Sequence, residues 1–274
     1  MLFSVRAVRA GAENKMEEIV SRTNGRIKQA AFLAERRERE RRRMFCFEGV
    51  HLLEEYLKSG RSPAELFVTR EALERYGELL GPLSGAVSVV SESVYGRLSA
   101  ERSPQGIFCV AEYLDNVKEN VPLPGGSVIL ESVRDAGNLG GIIRTAAALG
   151  INCVALSRDC ADVYSYKTVR AAMGALFVSD IVVLDDTVSA VRSLMSEGKN
   201  VYAACLYGET RELGGFALKK EDSFVFGNEG AGVSEKLASA CTSRVIIPMS
   251  GRTESLNVAA ASAVIMWEMV RSRG

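Results

Sequence analysis

The sequence predicts an α/β protein in two units, the larger of which carries a parallel sheet covered by helices. Three observations point there. From residue 127 onward the apolar runs SVILE, NCVALS, DIVVL, NVYAACL, SFVFG and SRVIIPM recur with helical segments between most of them. Continuous apolar strands alternating with helices mark a parallel sheet buried on both faces. A shorter α/β alternation precedes them, set off by NVKENVPLPGG, residues 116–126, whose two prolines and two glycines read as a linker. At 274 residues, 47% hydrophobic and 25% charged, the chain is long and apolar enough for two ordinary globular domains. The expected units are 1–115 and 127–274, joined by 116–126.

Residues 1–44 read as helix with a break at Thr23-Asn24-Gly25, a turn signal. A helix over 49–58 stops at Ser59-Gly60. Then follow a strand over 66–69, a helix over 71–80, a strand over 87–90, a helix over 91–98 and a strand over 106–111. In the larger unit the last helix, 256–271, is the longest and most apolar. The sheet or another subunit must cover it. No internal repeat or low-complexity tract is present.

Several function classes drop out. No apolar stretch approaches a membrane span, and MLFSVRAVRA lacks the apolar core of a secretory signal, so a cytoplasmic protein is expected. The six cysteines are scattered, without a CxxC pair, and most lie in apolar runs where a thiol acts as a small hydrophobe. The single histidine, His51, lies in the helical pattern EGVHLLEEYL. A Ser-His-Asp or Cys-His mechanism would need it across the domain boundary, and a His-rich metal site is impossible. No metal is expected.

The net charge is zero but unevenly spread. Residues 1–43 hold twelve Lys or Arg against six Glu, with Arg36, Arg37, Arg39, Arg41, Arg42 and Arg43 in one run. The run reads either as a solvated helix laced by i,i+4 pairs with Glu35, Glu38 and Glu40 or as a phosphate-binding surface.

Ligands of a parallel α/β sheet gather beyond the carboxyl ends of its strands. Three such ends are unusual here. In ESVRDAGNLGGIIR (131–144) a strand stops, Gly137, Gly140 and Gly141 permit close backbone approach, and a helix begins near Asn138. Arg144, six residues further on, stands so that it and Asn138 can flank a ligand. The glycine spacing is neither GxGxxG nor a Walker A loop, which disfavours a dinucleotide-dependent oxidoreductase. In FVFGNEGAG (224–232) a strand runs into a glycine turn holding Glu229. In IIPMSGRTESLN (246–257) an apolar strand ends at Pro248, and Ser255 and Asn257 stand just before the long helix. Taken singly, each is a strand-to-helix turn with Glu229, Glu254 or Ser255 near a helix start. Three together indicate a ligand site.

GNLGGIIRTA, VFGNEGAG and IIPMSGRTESLNVA, in this order, closely resemble the three motifs of the SpoU (TrmH-like) RNA methyltransferases of the SPOUT class. The resemblance covers the C-terminal half. The N-terminal half resembles their L30e-like substrate-binding domain, through Phe47-Glu48-Gly49 and Ser103-Pro104-Gln105-Gly106-Ile107 and more weakly through Ser21, Asn24 and Lys28. It implies a C-terminal domain tied in a deep trefoil knot, S-adenosylmethionine as cofactor, and a homodimer whose active site draws on both subunits. It also implies cofactor contacts through the main chain of Gly227, Ile247 and Leu256. Leu206, Tyr207, Gly208, Asn228, Glu229, Pro248, Met249, Ser255 and Asn257 would surround the cofactor, and Asn138, Arg144, Glu229, Ser255 and Asn257 would serve catalysis. Lys28, Arg36, Arg37, Arg41, Arg42 and Arg43 are the expected RNA contacts. Ribosomal RNA, 23S first, is preferred over transfer RNA because the L30e-like unit resembles that of the ribosomal RNA members. The chain departs from the family at Ala136, where Pro is usual, and at Ala172, where a Ser hydroxyl is usual near the site. These departures leave an RNA-binding factor without catalysis as the alternative.

The implied reaction moves a methyl group in line from a sulfonium to a ribose 2′-oxygen, with no metal or cysteine. The family proposal makes Arg144 the base. A guanidinium stays charged in ordinary protein settings, so a cation on the neighbouring phosphate and developing alkoxide serves equally, with Glu229 taking the proton.

Overall fold

The computed structural model describes residues 18–271. The N-terminal unit runs α1 (Gly25–Phe32), α2 (Arg36–Arg42), β1 (Met44–Glu48), α3 (Val50–Lys58), β2 (Glu65–Thr69), α4 (Arg70–Arg75), α5 (Gly77–Leu80), β3 (Val87–Val90), α6 (Glu92–Leu98) and β4 (Ile107–Glu112). Its sheet has the order β1-β4-β2-β3, with β4 antiparallel to β1 and β2, and β3 parallel to β2.

The helix expected over 1–44 is corrected where it is described; residues 1–17 lie outside the described residues. Ile19 pairs with Val90 as a β-bridge, and the chain turns before α1, which Asn24 caps by accepting from the Arg26 amide. The chain turns again between α1 and α2, burying Leu33 in the turn. Four of the five residues of β1 are buried. That strand had no place in the expected order, because a five-residue apolar run next to a charged helix carries no period of its own.

The C-terminal unit runs β5 (Val117–Glu119), β6 (Val128–Leu130), α7 (Ala136–Ala148), β7 (Cys153–Ser157), α8 (Tyr166–Ala172), β8 (Asp180–Leu184), α9 (Thr187–Ser196), β9 (Val201–Ala204), β10 (Thr210–Glu212), β11 (Ser223–Phe226), α10 (Glu235–Ala238), β12 (Ser243–Ile246) and α11 (Val258–Arg271). All eight strands are parallel, in the order β10-β12-β9-β11-β6-β7-β8-β5. Every apolar run named from the sequence is one of these strands. β11 is inserted between β6 and β9, and β12 between β9 and β10. The segment expected as a free linker is not one throughout: Val117–Glu119 is an edge strand on β8. With one half-buried and two exposed residues it lacked an apolar signature.

The two units share a core. Phe45 and Phe47 of β1 and Tyr56 of α3 meet Tyr164 and Phe177, with ring centroids at 5.0 Å (Phe45–Tyr164), 5.4 Å (Phe47–Phe177) and 5.1 Å (Tyr56–Phe177). Burying such a ring contributes on the order of 2 kcal/mol, so the contact is a packed interior rather than a loose junction. Arg39, 4% exposed, reinforces it by donating to Asp162 and to the carbonyls of Leu33 and Ala34. Among the described residues no helix is long and apolar enough to cross a membrane. No group of His, Cys, Asp and Glu among them is arranged to hold a metal ion.

Candidate active site

The strands β12, β9, β11 and β6 lie side by side, so the loops leaving them converge. Those after β9, β11 and β12 enclose a cavity of about 330 Å³, and the loop after β6 braces them from outside. Leu206 and Tyr207 line it after β9; Gly227, Asn228 and Glu229 after β11; Ile247, Met249, Ser255 and Leu256 after β12. Gly208, Pro248 and Asn257, also expected at the cofactor, lie in the same loops but do not line the cavity.

The loop after β11 is closed on itself. Asn228 and Gly232 exchange backbone hydrogen bonds of 3.0 and 2.9 Å, and the Asn228 Oδ1 accepts from the amides of Gly230 and Ala231 at 3.0 Å. This closure requires glycine at 227, where a Cβ would stand 2.0 Å from the Gly232 carbonyl carbon. Asn228 Nδ2 donates to the Ser132 carbonyl at 2.8 Å, joining the loop to the end of β6.

Glu229 tightens that joint. Its Oε1 accepts from the Asp135 amide and from Asn138 Nδ2, both at 3.0 Å, and its Oε2 from the Arg134 amide at 3.2 Å. Partial burial acts to raise its pKa, but the Asn138 side chain and the backbone donors outweigh it and hold the carboxyl below its usual range. A carboxylate so stabilised is a poor proton acceptor near neutral pH. Asn257 then closes the set. Its Nδ2 donates to Asn138 Oδ1 at 3.0 Å, while its Oδ1 caps α11 by accepting from the amides of Ala259 and Ala260 at 2.8 and 3.3 Å. The cap is therefore Asn257 rather than Glu254 or Ser255, and the helix starts at Val258.

α7 likewise starts earlier than Asn138. Its cap is Asp135, which accepts from the Asn138 amide at 2.9 Å and pairs with Lys167 at 2.6 Å. Asp135 was not among the expected site residues, although an Asp directly ahead of a helical run is an N-cap signal. Ala136 is the first helical residue, where Pro is readily accommodated, so this departure from the family removes no bond. Ala172 is fully buried where α8 meets α7 and does not line the cavity, so its missing hydroxyl takes nothing from that wall.

Arg144 is exposed on α7, does not line the cavity and has no ion-pair partner among the described residues. In the basic run, Arg36 pairs with Glu40 at 2.8 Å, and Arg41 and Arg42 share Glu38 at 2.7 and 3.2 Å. Arg43 lies 4.7 Å over the Tyr113 ring. Arg37 and Lys28 are exposed, with no ion pair among the described residues. The laced-helix reading of α2 thus holds for three of its arginines, and Arg39 is interior.

The cavity suits a ligand with an apolar or aromatic body and a polar edge read by main chain. Leu206, Ile247, Met249 and Leu256 supply the apolar walls, and the closed loop 227–232 supplies backbone groups.

Residues 126–267 match the SpoU rRNA Methylase family, and residues 24–109 match the MRM3-like substrate binding domain. The chain is 32% identical to the 23S rRNA (guanosine(2553)-2′-O)-methyltransferase RlmP of Bacillus subtilis, over 93% of this chain and 99% of that protein. It is 31% identical to the 23S rRNA (guanosine-2′-O-)-methyltransferase RlmB of Bordetella pertussis, over 80% and 88%. An AdoMet-bound rRNA methyltransferase structure from Sinorhizobium meliloti superposes with a TM-score of 0.79, at 29% identity, covering 93% of this chain and 97% of that one.

Proposed function

This chain belongs to the SpoU rRNA Methylase family, and from that premise we propose that it methylates the ribose 2′-hydroxyl of a guanosine in 23S ribosomal RNA. Its cofactor is S-adenosylmethionine. Guanosine and 23S rRNA are proposed because both similar relatives named above carry that substrate in their names. The observation that carries the reading is the Asn138–Glu229–Asn257 set beside the cavity. It binds the motif-bearing loops of three strands into one rigid rim, which is the preorganisation an in-line transfer needs.

When bound, S-adenosylmethionine supplies the electrophilic methyl group. Gly227, Ile247 and Leu256 would hold it through main chain, with Leu206, Tyr207, Asn228, Met249 and Ser255 around it. Glu229 stays ionised and positions the rim rather than taking a proton. Arg144 remains cationic, binds the phosphate next to the target ribose and stabilises the alkoxide as the 2′-hydroxyl loses its proton to water.

The protein acts as a homodimer in the cytoplasm. Val264 and Trp267, three residues apart on α11, are 42% and 58% exposed. A second copy covers this face and brings its own Arg144 to the cavity that Arg144 does not reach within one chain. The C-terminal unit carries the trefoil knot, formed as β11 and β12 enter between strands already in place, and the N-terminal unit, to about residue 115, holds RNA. The test is transfer of labelled methyl from S-adenosylmethionine to unmodified 23S rRNA. The product should resist alkaline cleavage at one linkage, and label in an alkali-sensitive position would overturn the assignment.

A further inference from the structure

α8 is wedged between the N-terminal unit and the helix that bears Asn138 and Arg144. On one side the hydroxyl of Tyr166, the first residue of α8, donates to Oε1 of Glu48 at the end of β1. Glu48 is only 6% exposed. It also accepts from the Tyr95 hydroxyl at 3.0 Å, the Ser99 hydroxyl at 2.7 Å and the Ala100 amide at 3.0 Å. The Tyr166 oxygen lies 2.7 Å from Glu101 Oε1, and Arg170, one turn later, pairs with Glu101 at 2.8 Å. A buried carboxylate persists only through its donors, and one of those held by Glu48 comes from the other unit.

On its other side α8 touches α7 without slack. A Cβ on Gly140 would stand 2.6 Å from the Thr168 carbonyl oxygen and from the Ala171 Cβ, and Lys167 holds the Asp135 cap of α7. A displacement of α8 therefore has to move α7, because close-packed interiors transmit strain. None of the residues of α8 lines the cofactor cavity. Burial and the two carboxylates push the Tyr166 phenol up, so it remains a donor at all ordinary pH.

We propose that Tyr166 is a positioning residue for methyl transfer. By tying the first turn of α8 to Glu48, it keeps α7, and the Arg144 that α7 presents to the partner's cavity, in register with the RNA held by the N-terminal unit. The inference rests on the reading of this site as an RNA 2′-O-methyltransferase. Tyr166 acts on the rate of transfer and leaves both binding steps untouched.

Tyr166→Phe in the full chain keeps the ring and removes the bond. Single-turnover transfer to unmodified 23S rRNA, at saturating S-adenosylmethionine and RNA, should slow by about tenfold, the scale of a small misplacement of reacting groups. Cofactor affinity by calorimetry and RNA affinity by filter binding should be unchanged. Ser99→Ala removes another donor to Glu48 from within the N-terminal unit and should keep the wild-type rate. A wild-type rate in Tyr166→Phe overturns the proposal. So does an equal loss in Ser99→Ala, or a loss of cofactor affinity in step with the rate, since either makes the bond merely structural. If the wild type itself transfers no methyl group, the functional reading falls and takes this inference with it.

Discussion

Glu229 accepts a 3.0 Å hydrogen bond from the side chain of Asn138, ninety-one residues earlier on the helix that follows a neighbouring strand. Two backbone amides share the same carboxylate, so the glutamate fastens a loop of the cavity to the neighbouring loop after β6. Glu229→Gln retains the size but turns an amide group toward donors. We expect cofactor affinity to fall by roughly tenfold, as for a hydrogen bond to a charged group worth about 1.5 kcal/mol, as read by calorimetry.

The pH dependence follows from the same contact. Because the Glu229 carboxyl is held below its usual range, its contribution is full above the ordinary carboxylate pKa and is lost as pH falls through the depressed value. Cofactor affinity should therefore stay level from neutral pH down to about pH 5. A decline centred near pH 6 would mean that the Glu229 carboxyl is held above rather than below its usual range.

Gly227→Ala places a methyl group 2.0 Å from the Gly232 carbonyl carbon. Backbone must move to admit it, so cofactor binding should be lost while the far unit stays folded. Calorimetry with S-adenosylmethionine and circular dichroism together check this.

Arg144 is exposed and outside the cavity wall. Arg144→Ala should abolish transfer, by at least about a hundredfold, with cofactor affinity retained. Turnover near wild type would remove Arg144 from the site. On the proposed homodimer, Trp267→Glu should give a monomer in sedimentation and lose activity with it. An active monomer would contradict the shared site.

The basic run divides by its contacts. Removing Lys28 and Arg37, which lack ion pairs among the described residues, should flatten the salt dependence of RNA binding by about one unit of slope each. Arg39→Ala should instead destabilise the fold by about 3 kcal/mol, because the partly buried Asp162 and the carbonyls of Leu33 and Ala34 would all lose their donor, a loss that thermal unfolding measures.

The apolar strands of the larger sheet were legible because a run buried on both faces has no polar residue to interrupt it. β1, β5 and β10 were not, being short or at an edge, where three to five residues carry no period. The three loops were legible through their glycines and through Asn138, Glu229 and Asn257. What those side chains do to one another was not, since a sequence cannot show that Glu229 faces two amides across the sheet. The run of arginines concealed the opposite case. Arg39 reads like its neighbours, yet it is interior, because only the tertiary fold sets Asp162 beside it.

Mass-spectrometric mapping of 2′-O-methyl nucleotides in ribosomal and transfer RNA, from cells with and without the gene, tests the central claim most directly. The account predicts that one guanosine of 23S rRNA loses its 2′-O-methyl group and that the remaining map is unchanged. An unaltered 23S map, or a methyl group lost from transfer RNA instead, would contradict it.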